Sequence, residues 1–531
     1  MFINKLWLFG DQDVQVPAHL NFGKFILNRI RRVPGDRVAL ENVETGEKMT
    51  YKELAEYAVK LSVALTNLGV KKGDVVALGS ERRVLFVPTA LAVVLSGGSC
   101  TPFDVDTGRA HLEHKLQISQ PTYFICSKLF WETNRVVLEK CKSIKTFLTL
   151  DDSLKSFTFL RSLICNLPDF DVNQFEPVAV KSQVDALFIM YSSGTTGMPK
   201  GVEVAHLTFI INCLGNDIKD ESLEVVYITA DWFHSYDLHS TFNALGLGKK
   251  IVYTNEVTLE TVTKTFRKHK VNLAYLYPPM INWLTKMDER ELHNIDSLKV
   301  VCCGGSALQK ETLKKLKQRI PSIKEVLQCY GMTEVGELTS EARAAKGSRA
   351  GSVGGVAPGV TLKVVDVKTG ETLGPNQHGE IYIKSFGFMK GYIGVDPSTY
   401  IVDEGFFRTG DLGYYDEDGY VYIMGRLKEI IIYDGYNVSP LELETILQLH
   451  PEVREAGVVG TPVPDYGELP TAFVVRQPGS TITEQQLHEF VNVEVAPHMQ
   501  LRGGIKFIDK LPRSAIGKLS RRHLREMLKV M

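Results

Sequence analysis

The sequence has no long apolar run. Its apolar stretches, such as 90–95, are far shorter than the roughly 20 residues that a membrane-spanning helix needs. It also has no excess of charge of one sign, because 61 lysines and arginines are matched by 62 aspartates and glutamates. We therefore expect no membrane span, and the composition gives no support for binding nucleic acid or an anionic membrane surface.

Cysteines at metal-ligand or redox spacing are missing as well. The eight cysteines form no CxxC pair, although Cys302 and Cys303 are adjacent. We therefore expect reduced thiols in an intracellular protein. Segment 1–10 contains Lys5 and is followed by acidic residues, which argues against a signal peptide, and the last three residues are not a peroxisomal signal. Together these features predict a cytoplasmic protein.

No internal repeat and no low-complexity segment is present, which argues against a solenoid or a propeller. Instead, helix-like and strand-like patterns alternate up to about residue 350. Thr50 and Glu53 form a capping box before the amphipathic segment 51–68, and the apolar segment 75–78 follows as a strand. The same alternation recurs at 258–276. This pattern predicts α/β layers with largely parallel sheets.

Beyond about residue 350 the pattern changes to strands separated by glycines, as at 361–366 and 420–424. A domain boundary is predicted at Gly425. The predicted fold is therefore α/β, with a large N-terminal domain (1–424) of layered α/β subdomains plus a β-rich subdomain. A small α+β C-terminal domain (425–531) follows, which has the usual size of one domain.

A glycine-rich segment at 191–201, YSSGTTGMPKG, follows an apolar strand. Its glycines let backbone N–H groups turn toward an anion, its hydroxyls add donors, and Lys200 adds a positive charge. This is the chemistry that a polyphosphate needs. The segment is not a Walker A loop, because Pro199 stands at the second glycine position and Gly201 follows the lysine.

The segment 192–201 resembles the phosphate-binding loop of the adenylate-forming superfamily, which contains acyl-CoA ligases, adenylation domains and beetle luciferases. Four further segments resemble the superfamily's other motifs in the same order: Tyr330–Glu334, Thr409–Asp411, Gly425–Lys428 and Ile516–Lys518. The resemblance extends from about residue 20 to the end of the chain. Within the superfamily, it is closest to insect acyl-CoA ligases and luciferase-like proteins.

The resemblance implies a two-step enzyme reaction that uses ATP, Mg²⁺ and CoA. A carboxylic acid would attack the α-phosphate of ATP to give acyl-AMP and pyrophosphate, and the thiol of CoA would then displace AMP. The implied activity is that of an AMP-forming acid–CoA ligase whose small domain is mobile between the two steps, with Gly425 as a hinge beside Arg426.

The resemblance also implies a role for individual residues. The residues expected to bind the β- and γ-phosphates are Ser192, Ser193, Gly194, Thr195, Thr196, Gly197 and Lys200. Those expected around adenine are Tyr330 and Gly331 on one face, and Gly304, Gly305 and Ser306 on the other. Thr333 would contact the α-phosphate, and Glu334 with Thr195 would hold Mg²⁺.

The ribose and the reacting carboxylate would be held by three more residues. A carboxylate such as Asp411 can accept two hydrogen bonds from a ribose diol, and Arg426 would help hold the same group. Lys518 resembles the catalytic lysine of the superfamily, and would reach the attacking carboxylate and the α-phosphate. Lys518, His234, Thr333 and Lys200 are therefore the predicted catalytic residues.

The acid pocket is where the sequence departs from its relatives. His234 lies where the superfamily has a histidine that lines the acyl pocket or the CoA tunnel. The polar residues after it, Tyr236, Asp237 and His239, suggest a more polar pocket than a plain fatty-acid channel. Glu337 replaces a small hydroxyl residue of beetle luciferases, Asn212 replaces their luciferin-binding arginine, and Ile432 replaces a lysine of their oxidative step. These differences argue against beetle-luciferin light emission.

Three other functions stay open from the sequence. The protein could be a luciferase acting on a different luciferin, an adenylating enzyme that loads a separate carrier protein, or an inactive nucleotide-binding module. The presence of Lys200, Thr333, Glu334, Asp411 and Lys518 argues against the last of these.

Overall fold

The computed structural model of the protein describes residues 6–11, 20–154, 157–192, 198–215, 220–288, 292, 295–304, 308, 310–343, 347–434, 436–463, 466–513 and 519–529. The helices of these residues are α1 (Phe22–Ile30), α2 (Tyr51–Asn67), α3 (Phe86–Leu95), α4 (Arg109–Ser119), α5 (Lys128–Leu138), α6 (Leu160–Cys165), α7 (His206–Gly215), α8 (Ser235–Gly246), α9 (Leu259–His269), α10 (Pro278–Lys286), α11 (Lys310–Arg319), α12 (Pro440–Leu449), α13 (Glu484–Glu494) and α14 (Arg521–Leu528).

The strands of the first half of the chain are β1 (Trp7–Phe9), β2 (Val38–Asn42), β3 (Lys48–Thr50), β4 (Val75–Gly79), β5 (Ser99–Phe103), β6 (Tyr123–Cys126), β7 (Thr146–Thr149), β8 (Thr158–Phe159), β9 (Ala186–Ser192), β10 (Lys200–Ala205), β11 (Val225–Tyr227) and β12 (Lys250–Tyr253). Those of the second half are β13 (Leu273–Leu276), β14 (Val300–Gly304), β15 (Glu325–Met332), β16 (Gly336–Ser340), β17 (Gly355–Val356), β18 (Val360–Val365), β19 (Thr372–Leu373), β20 (Gly379–Ser385), β21 (Gly391–Tyr392), β22 (Ile401–Val402), β23 (Phe406–Tyr415), β24 (Val421–Arg426), β25 (Ile431–Tyr433), β26 (Tyr436–Val438), β27 (Val453–Val463), β28 (Gly467–Arg476) and β29 (Ile505–Phe507).

Two largely parallel sheets form the layered part of the large domain, as the alternating pattern predicts. One sheet has the strand order β21-β10-β9-β5-β4-β6-β7-β8, and the other has the order β17-β16-β15-β14-β13-β11-β12-β2-β3. Parallel pairing fills the centre of both sheets, and antiparallel pairs lie at their ends. The predicted α/β class is therefore confirmed.

Helix α3 lies in the core of the layered part of the large domain. All ten of its residues are buried, and its sequence FVPTALAVVL is apolar on every side. A helix that is apolar all round is stable only inside a core. Helix α2 is amphipathic instead, and it begins at the predicted capping box, in which Thr50 and Glu53 cap each other's backbone N–H groups.

The β-rich part predicted after residue 350 is an antiparallel sheet. Its strand order is β1-β18-β20-β23-β22, with β19 paired to β18 and β24 paired to β23. The chain leaves this sheet after Arg426, at the end of β24, and enters the sheet of the small C-terminal domain at Ile431. Thus the hairpin of β23 and β24 is the last element of this sheet along the chain.

The small domain packs helices on a sheet of order β26-β25-β28-β27, with β29 beside β28. Helix α12 has a capped start, because Ser439 accepts a hydrogen bond from the N–H of Glu442 and Pro440 holds the first helical position. The domain touches the large one through α10, where Asn282 Nδ2 lies 2.8 Å from Gln448 Oε1. From the same helix, the amine of Lys286 donates to the carbonyl of Val453 at 2.5 Å.

None of the helices in the described part of the chain is long and apolar enough to cross a membrane.

Candidate active site

The predicted adenine and ribose residues lie together at the end of the β23–β24 hairpin. The hydroxyl of Tyr330, on β15, donates to Oδ2 of Asp411 at 2.5 Å. The Nε of Arg426 lies 2.9 Å from Oδ1 of the same carboxylate, and its Nη1 donates to the carbonyl of Thr409 at 2.8 Å. The structure thus joins three residues that are far apart in sequence around one carboxylate.

The hairpin sets this arrangement through its backbone. Asp411 and Arg426 are directly opposed residues of the two antiparallel strands, so their side chains lie on one face. Gly410 and Gly425, the residues before them, have φ values of +71° and +138°. Positive φ values of this size favour glycine. Gly425 therefore lets the backbone adopt, just before Arg426, a conformation that other residues rarely take.

The carboxylate of Asp411 and the guanidinium of Arg426 stabilise each other in a buried environment. Burial raises the pKa of Tyr330 well above its usual value, and the neighbouring Asp411 carboxylate adds to the effect. For Arg426, burial lowers the pKa, but Asp411 more than offsets this, so the guanidinium stays charged. Asp411 itself is 4% exposed. A carboxylate has about four acceptor positions in all, so it can serve its protein partners and a diol.

The turn between β15 and β16 carries the predicted α-phosphate and metal residues. It is tight, because a Cβ on Gly331 would lie 2.4 Å from the carbonyl oxygen of Gly336. Within it, Thr333 is half-buried and Glu334 is buried. The carboxylate of Glu334 accepts a hydrogen bond from the hydroxyl of Tyr392 at 2.6 Å.

Tyr392 connects this carboxylate to the predicted phosphate lysine. The Nζ of Lys200 lies 4.6 Å from the centroid of the Tyr392 ring, a cation–π distance. Lys200 pairs with Ser192 in the register of β9 and β10, so these strands hold both ends of the glycine-rich segment. Ser193, Gly194, Thr195, Thr196 and Gly197 lie outside the described residues, as do Gly305 and Ser306.

The residues present fit a Mg²⁺ ion bound together with nucleotide phosphates. Mg²⁺ in phosphate-transfer sites uses one or two carboxylates, with phosphate oxygens and water as its other ligands. Glu334 offers one buried carboxylate beside the glycine-rich segment. Clusters of three or more candidate ligand side chains, which a protein-only metal site needs, are absent from the described residues.

His234 lies at the N-cap position of α8. Its loop is held by the buried carboxylate of Asp237. This carboxylate accepts hydrogen bonds from the hydroxyl of Thr229, from the N–H of Asp231 at 2.8 Å, and from the hydroxyl of Tyr277 at 3.1 Å. The sequence predicts that Asp237 is a polar pocket residue, and in the structure its carboxylate is engaged in the loop's own hydrogen-bond network.

The same loop is fixed to the rest of the large domain by Arg82. Its guanidinium forms an ion pair with Asp231, and it donates to the carbonyl of Asn255 at 2.5 Å. Burial and the nearby Asp237 raise the pKa of Asp231, while Arg82 opposes this. Ala230 has a φ of +61° although it is not glycine. Such strain persists only where the surroundings enforce it, so the network determines where His234 stands.

Tyr236 and Gly304 meet behind His234. A Cβ on Gly304 would lie 2.9 Å from the Tyr236 ring, so only glycine lets the tyrosine reach the end of β14. Asn212, on α7, donates to the carbonyls of Thr208 and Val335 at 2.7 and 3.2 Å, and accepts from the N–H of Glu337 at 2.9 Å. It thereby holds the start of β16, where Glu337 is half-buried.

Lys518 lies outside the described residues, but its flanking residues are well anchored. Arg513 and Leu519 form an antiparallel bridge, and the N–H of Ser520 donates to the carbonyl of Pro512 at 2.9 Å. After the segment, the guanidinium of Arg521 contacts both carboxylate oxygens of Glu444 at 2.7 Å. Both ends of the segment that carries Lys518 are therefore fixed to the small domain.

Three residues of the site were not singled out from the sequence: Arg82, Asp237 as a loop anchor, and Tyr392. No local motif marks Tyr392 or Arg82, because each acts on a residue more than a hundred positions away. For Asp237 a signal was present, since it belongs to the polar residues that follow His234.

Comparison with known proteins matches most of the chain. A family described as "AMP-binding enzyme" matches residues 27–393, and "AMP-binding enzyme C-terminal domain" matches residues 442–518. A luciferin 4-monooxygenase of Photuris pensylvanica is 32% identical and covers 95% of this chain and 94% of its own. A peroxisomal OPC-8:0-CoA ligase of Arabidopsis thaliana is 31% identical, with 98% and 96% covered. The ATP-bound structure of MatB from Rhodopseudomonas palustris superimposes with a TM-score of 0.83 at 27% identity, covering 96% of this chain and 99% of that one.

Proposed function

The chain belongs to the AMP-binding enzyme family, and on that premise we propose that it activates a carboxylic acid with ATP and transfers the acyl group to CoA. In the first step a carboxylate oxygen attacks the α-phosphate of ATP, the bond to the β-phosphate breaks, and pyrophosphate leaves. In the second step the thiol of CoA loses its proton and attacks the acyl carbonyl, and AMP leaves. The acid becomes a thioester.

The observation that carries this proposal is the way the fold gathers the nucleotide residues. Tyr330, Asp411 and Arg426 form one hydrogen-bonded group from β15 and the β23–β24 hairpin. A few residues further along the chain, Glu334 is joined through Tyr392 to Lys200. These contacts support a site in which the groups proposed for the base and ribose adjoin those proposed for the phosphates.

The first step must bring together two anions, the carboxylate of the acid and the phosphates of ATP. The roles proposed for the residues follow from this requirement. Lys200 and the N–H groups of the glycine-rich segment neutralise the β- and γ-phosphates, Thr333 donates to the α-phosphate, and Asp411 holds the ribose hydroxyls. Glu334 would hold Mg²⁺, whose charge offsets that of the phosphates. Lys518 stabilises the charge that develops on the α-phosphate as the bond forms, which is the effect with the largest catalytic weight in such reactions.

The second step requires room for CoA, and we propose that the small domain rotates to provide it. Gly425 lies at the end of the last large-domain strand, with a φ that favours glycine. The contacts of α10 with Gln448 and Val453 would have to break in such a rotation. His234, at the start of α8, is then placed between the acid and the thiol.

The test is AMP formation from ATP with a panel of fatty, hydroxycinnamic and amine-bearing acids, each with and without CoA. The proposal predicts that one class of acid gives AMP, and that multiple turnovers require CoA. AMP formation that is independent of CoA would exclude CoA as the acceptor. An absence of pyrophosphate release with every acid would show a nucleotide-binding protein without this activity.

A luciferase-type reaction is the second candidate, because the 32% identity to a luciferin 4-monooxygenase extends over 519 residues. In that reaction the acyl-AMP would be oxidised by molecular oxygen with emission of light. Asn212 and Ile432 stand where beetle luciferases have a luciferin-binding arginine and a lysine, so beetle luciferin is not expected to be the substrate. Photon counting with each acid of the panel in the presence of ATP and oxygen distinguishes this candidate.

A further inference from the structure

Helix α4 packs on the base of the glycine-rich segment. The strands on either side of that segment, β9 and β10, pair antiparallel, with Ser192 opposite Lys200 and Tyr191 opposite Gly201. A Cβ on Gly201 would lie 2.6 Å from Cγ2 of Ile118 on α4, so a larger residue there would push the helix away. The helix therefore lies directly against the two strand ends that carry the predicted phosphate-binding loop.

The first contact of α4 is at the end of the segment, where the chain enters β10. Nε2 of His114 lies 2.9 Å from the carbonyl oxygen of Pro199, and because a carbonyl can only accept, the ring nitrogen is the donor. Pro199 directly precedes the pair of Lys200 and Ser192, at which the register of β9 and β10 begins. The carbonyl belongs to the planar peptide group that joins Pro199 to Lys200. His114 therefore fixes the backbone immediately before the lysine proposed to bind the β- and γ-phosphates.

The second contact is at the start of the segment, where the chain leaves β9. The hydroxyl of Tyr191 donates to the backbone carbonyl of Lys115 at 3.2 Å. The Nζ of Lys115 lies 5.0 Å from the centroid of the same tyrosine ring, a cation–π distance. Burial lowers the pKa of Lys115 to about 8, and the nearby carboxylate of Asp104 opposes this effect. Two successive residues of α4 thus hold both ends of one loop.

Anchors at both ends matter for a loop that binds phosphates. A chain segment loses conformational entropy when it becomes ordered around a ligand, and this loss opposes binding. Fixing both ends beforehand reduces the number of conformations that the segment can adopt, so the loss on binding is smaller. The residues proposed for adenine and ribose belong to β15 and to the β23–β24 hairpin, which have contacts of their own. Losing an anchor on α4 should therefore affect the phosphates more than the nucleoside.

We propose that His114 is a positioning residue for the phosphates of ATP, which acts through the carbonyl of Pro199 on the glycine-rich segment and on Lys200. The proposal rests on the function proposed above and adds to it a residue outside the segment that binds the phosphates. It predicts a difference between two nucleotides. ATP has the β- and γ-phosphates that the segment is proposed to bind, and should depend on His114. AMP has only the α-phosphate, and should not.

The test compares the binding of ATP and AMP by calorimetry in variants of the full chain. His114→Leu removes the donor, and should raise the Kd for ATP by about 10-fold, as expected for one hydrogen bond, with the Kd for AMP unchanged. His114→Gln has an amide that can still donate, and should bind ATP nearly as well as the unmodified protein. His111→Leu is the matched control, because His111 is an exposed residue of the same helix, and should change neither constant.

If His114→Leu does not fold, Tyr191→Phe removes the other anchor's hydroxyl, and should raise the Kd for ATP and leave that for AMP as it is. An unchanged Kd for ATP in both variants would overturn the proposal while leaving acid activation intact. An equal loss of ATP and AMP binding, or a His114→Gln variant as weak as His114→Leu, would overturn it in the same way. An absence of ATP binding by the unmodified protein would overturn the proposed function as well.

Discussion

The nucleotide end and the acid end of the site are built differently. At the nucleotide end, Asp411, Arg426 and Tyr330 satisfy one another within the protein. At the acid end, the buried carboxylate of Asp237 accepts from Thr229, from the N–H of Asp231 and from Tyr277, and so holds the loop that carries His234. The nucleotide end is thus preformed by direct contacts among the expected binding residues, whereas the acid end is positioned through a loop. The difference teaches that a substitution at the first should act on the nucleotide directly, and that one at the second should act through the placement of His234.

The largest effect should come from the replacement of Lys518, which is proposed to contact both the acid's carboxylate and the α-phosphate. Lys518→Ala removes the charge that stabilises the transition state, and should slow adenylation by on the order of 10²–10³-fold or more for every acid. Single-turnover formation of acyl-AMP measures this, and ATP binding should change little. Lys510→Ala, an exposed lysine of the same domain, is the control. An adenylation rate equal to that of the unmodified protein would refute the assignment.

The second effect tests the preformed end. Asp411→Asn loses the ion pair with Arg426 and the acceptor for the ribose, and should raise the KM for ATP by about 10- to 100-fold, as expected for hydrogen bonds to a charged group. The increase should be the same for all acids. Glu417→Gln, on the turn of the same hairpin, should have no effect. A change that depends on the acid would contradict the separation of the two ends.

The third effect tests the acid end through the loop of His234. In Asp237→Asn, the amide NH₂ would face groups that donate hydrogen bonds, namely Thr229, the N–H of Asp231 and Tyr277. We expect the KM for the acid to rise by about 10-fold, with the KM for ATP unchanged. Steady-state kinetics with either substrate varied separates the two constants. Asp152→Asn, at an exposed site, is the control, and a rise in both constants would indicate general loss of structure instead.

The smallest effect concerns the contact between the domains. Burial lowers the pKa of Lys286 to about 8, with a further lowering by Lys315 and an opposing effect of Glu455. When the small domain undocks, the pKa returns toward its usual value near 10.4, so docking releases a proton. Docking should therefore strengthen as the pH rises from about 8 toward 10, and Lys286→Met should remove this dependence. Protection of the domain junction against limited proteolysis measures it, and an equally steep profile in the variant would contradict it.

Much of the fold was predictable, because it depends on local patterns. The capping residues of α2 and the strands β4, β18 and β24 stand where the sequence predicts them. The predicted site residues that are described also lie near one another in two groups. The loop anchor Asp237 and the link formed by Tyr392 were not predictable, since burial and long-range pairing decide what a carboxylate or a phenol contacts. The domain boundary at Gly425 and the roles of the site residues stay predictions.

The pairing register of β23 and β24 also decides which residues of the two strands face each other. Asp411 and Arg426 face each other because of backbone pairing, whatever their side chains do. A slip of one residue between the strands would send one of the two side chains to the opposite face, since side chains alternate along a strand. A single-residue insertion within β24 should therefore weaken nucleotide binding, because it would separate Asp411 from Arg426 although both residues are still present.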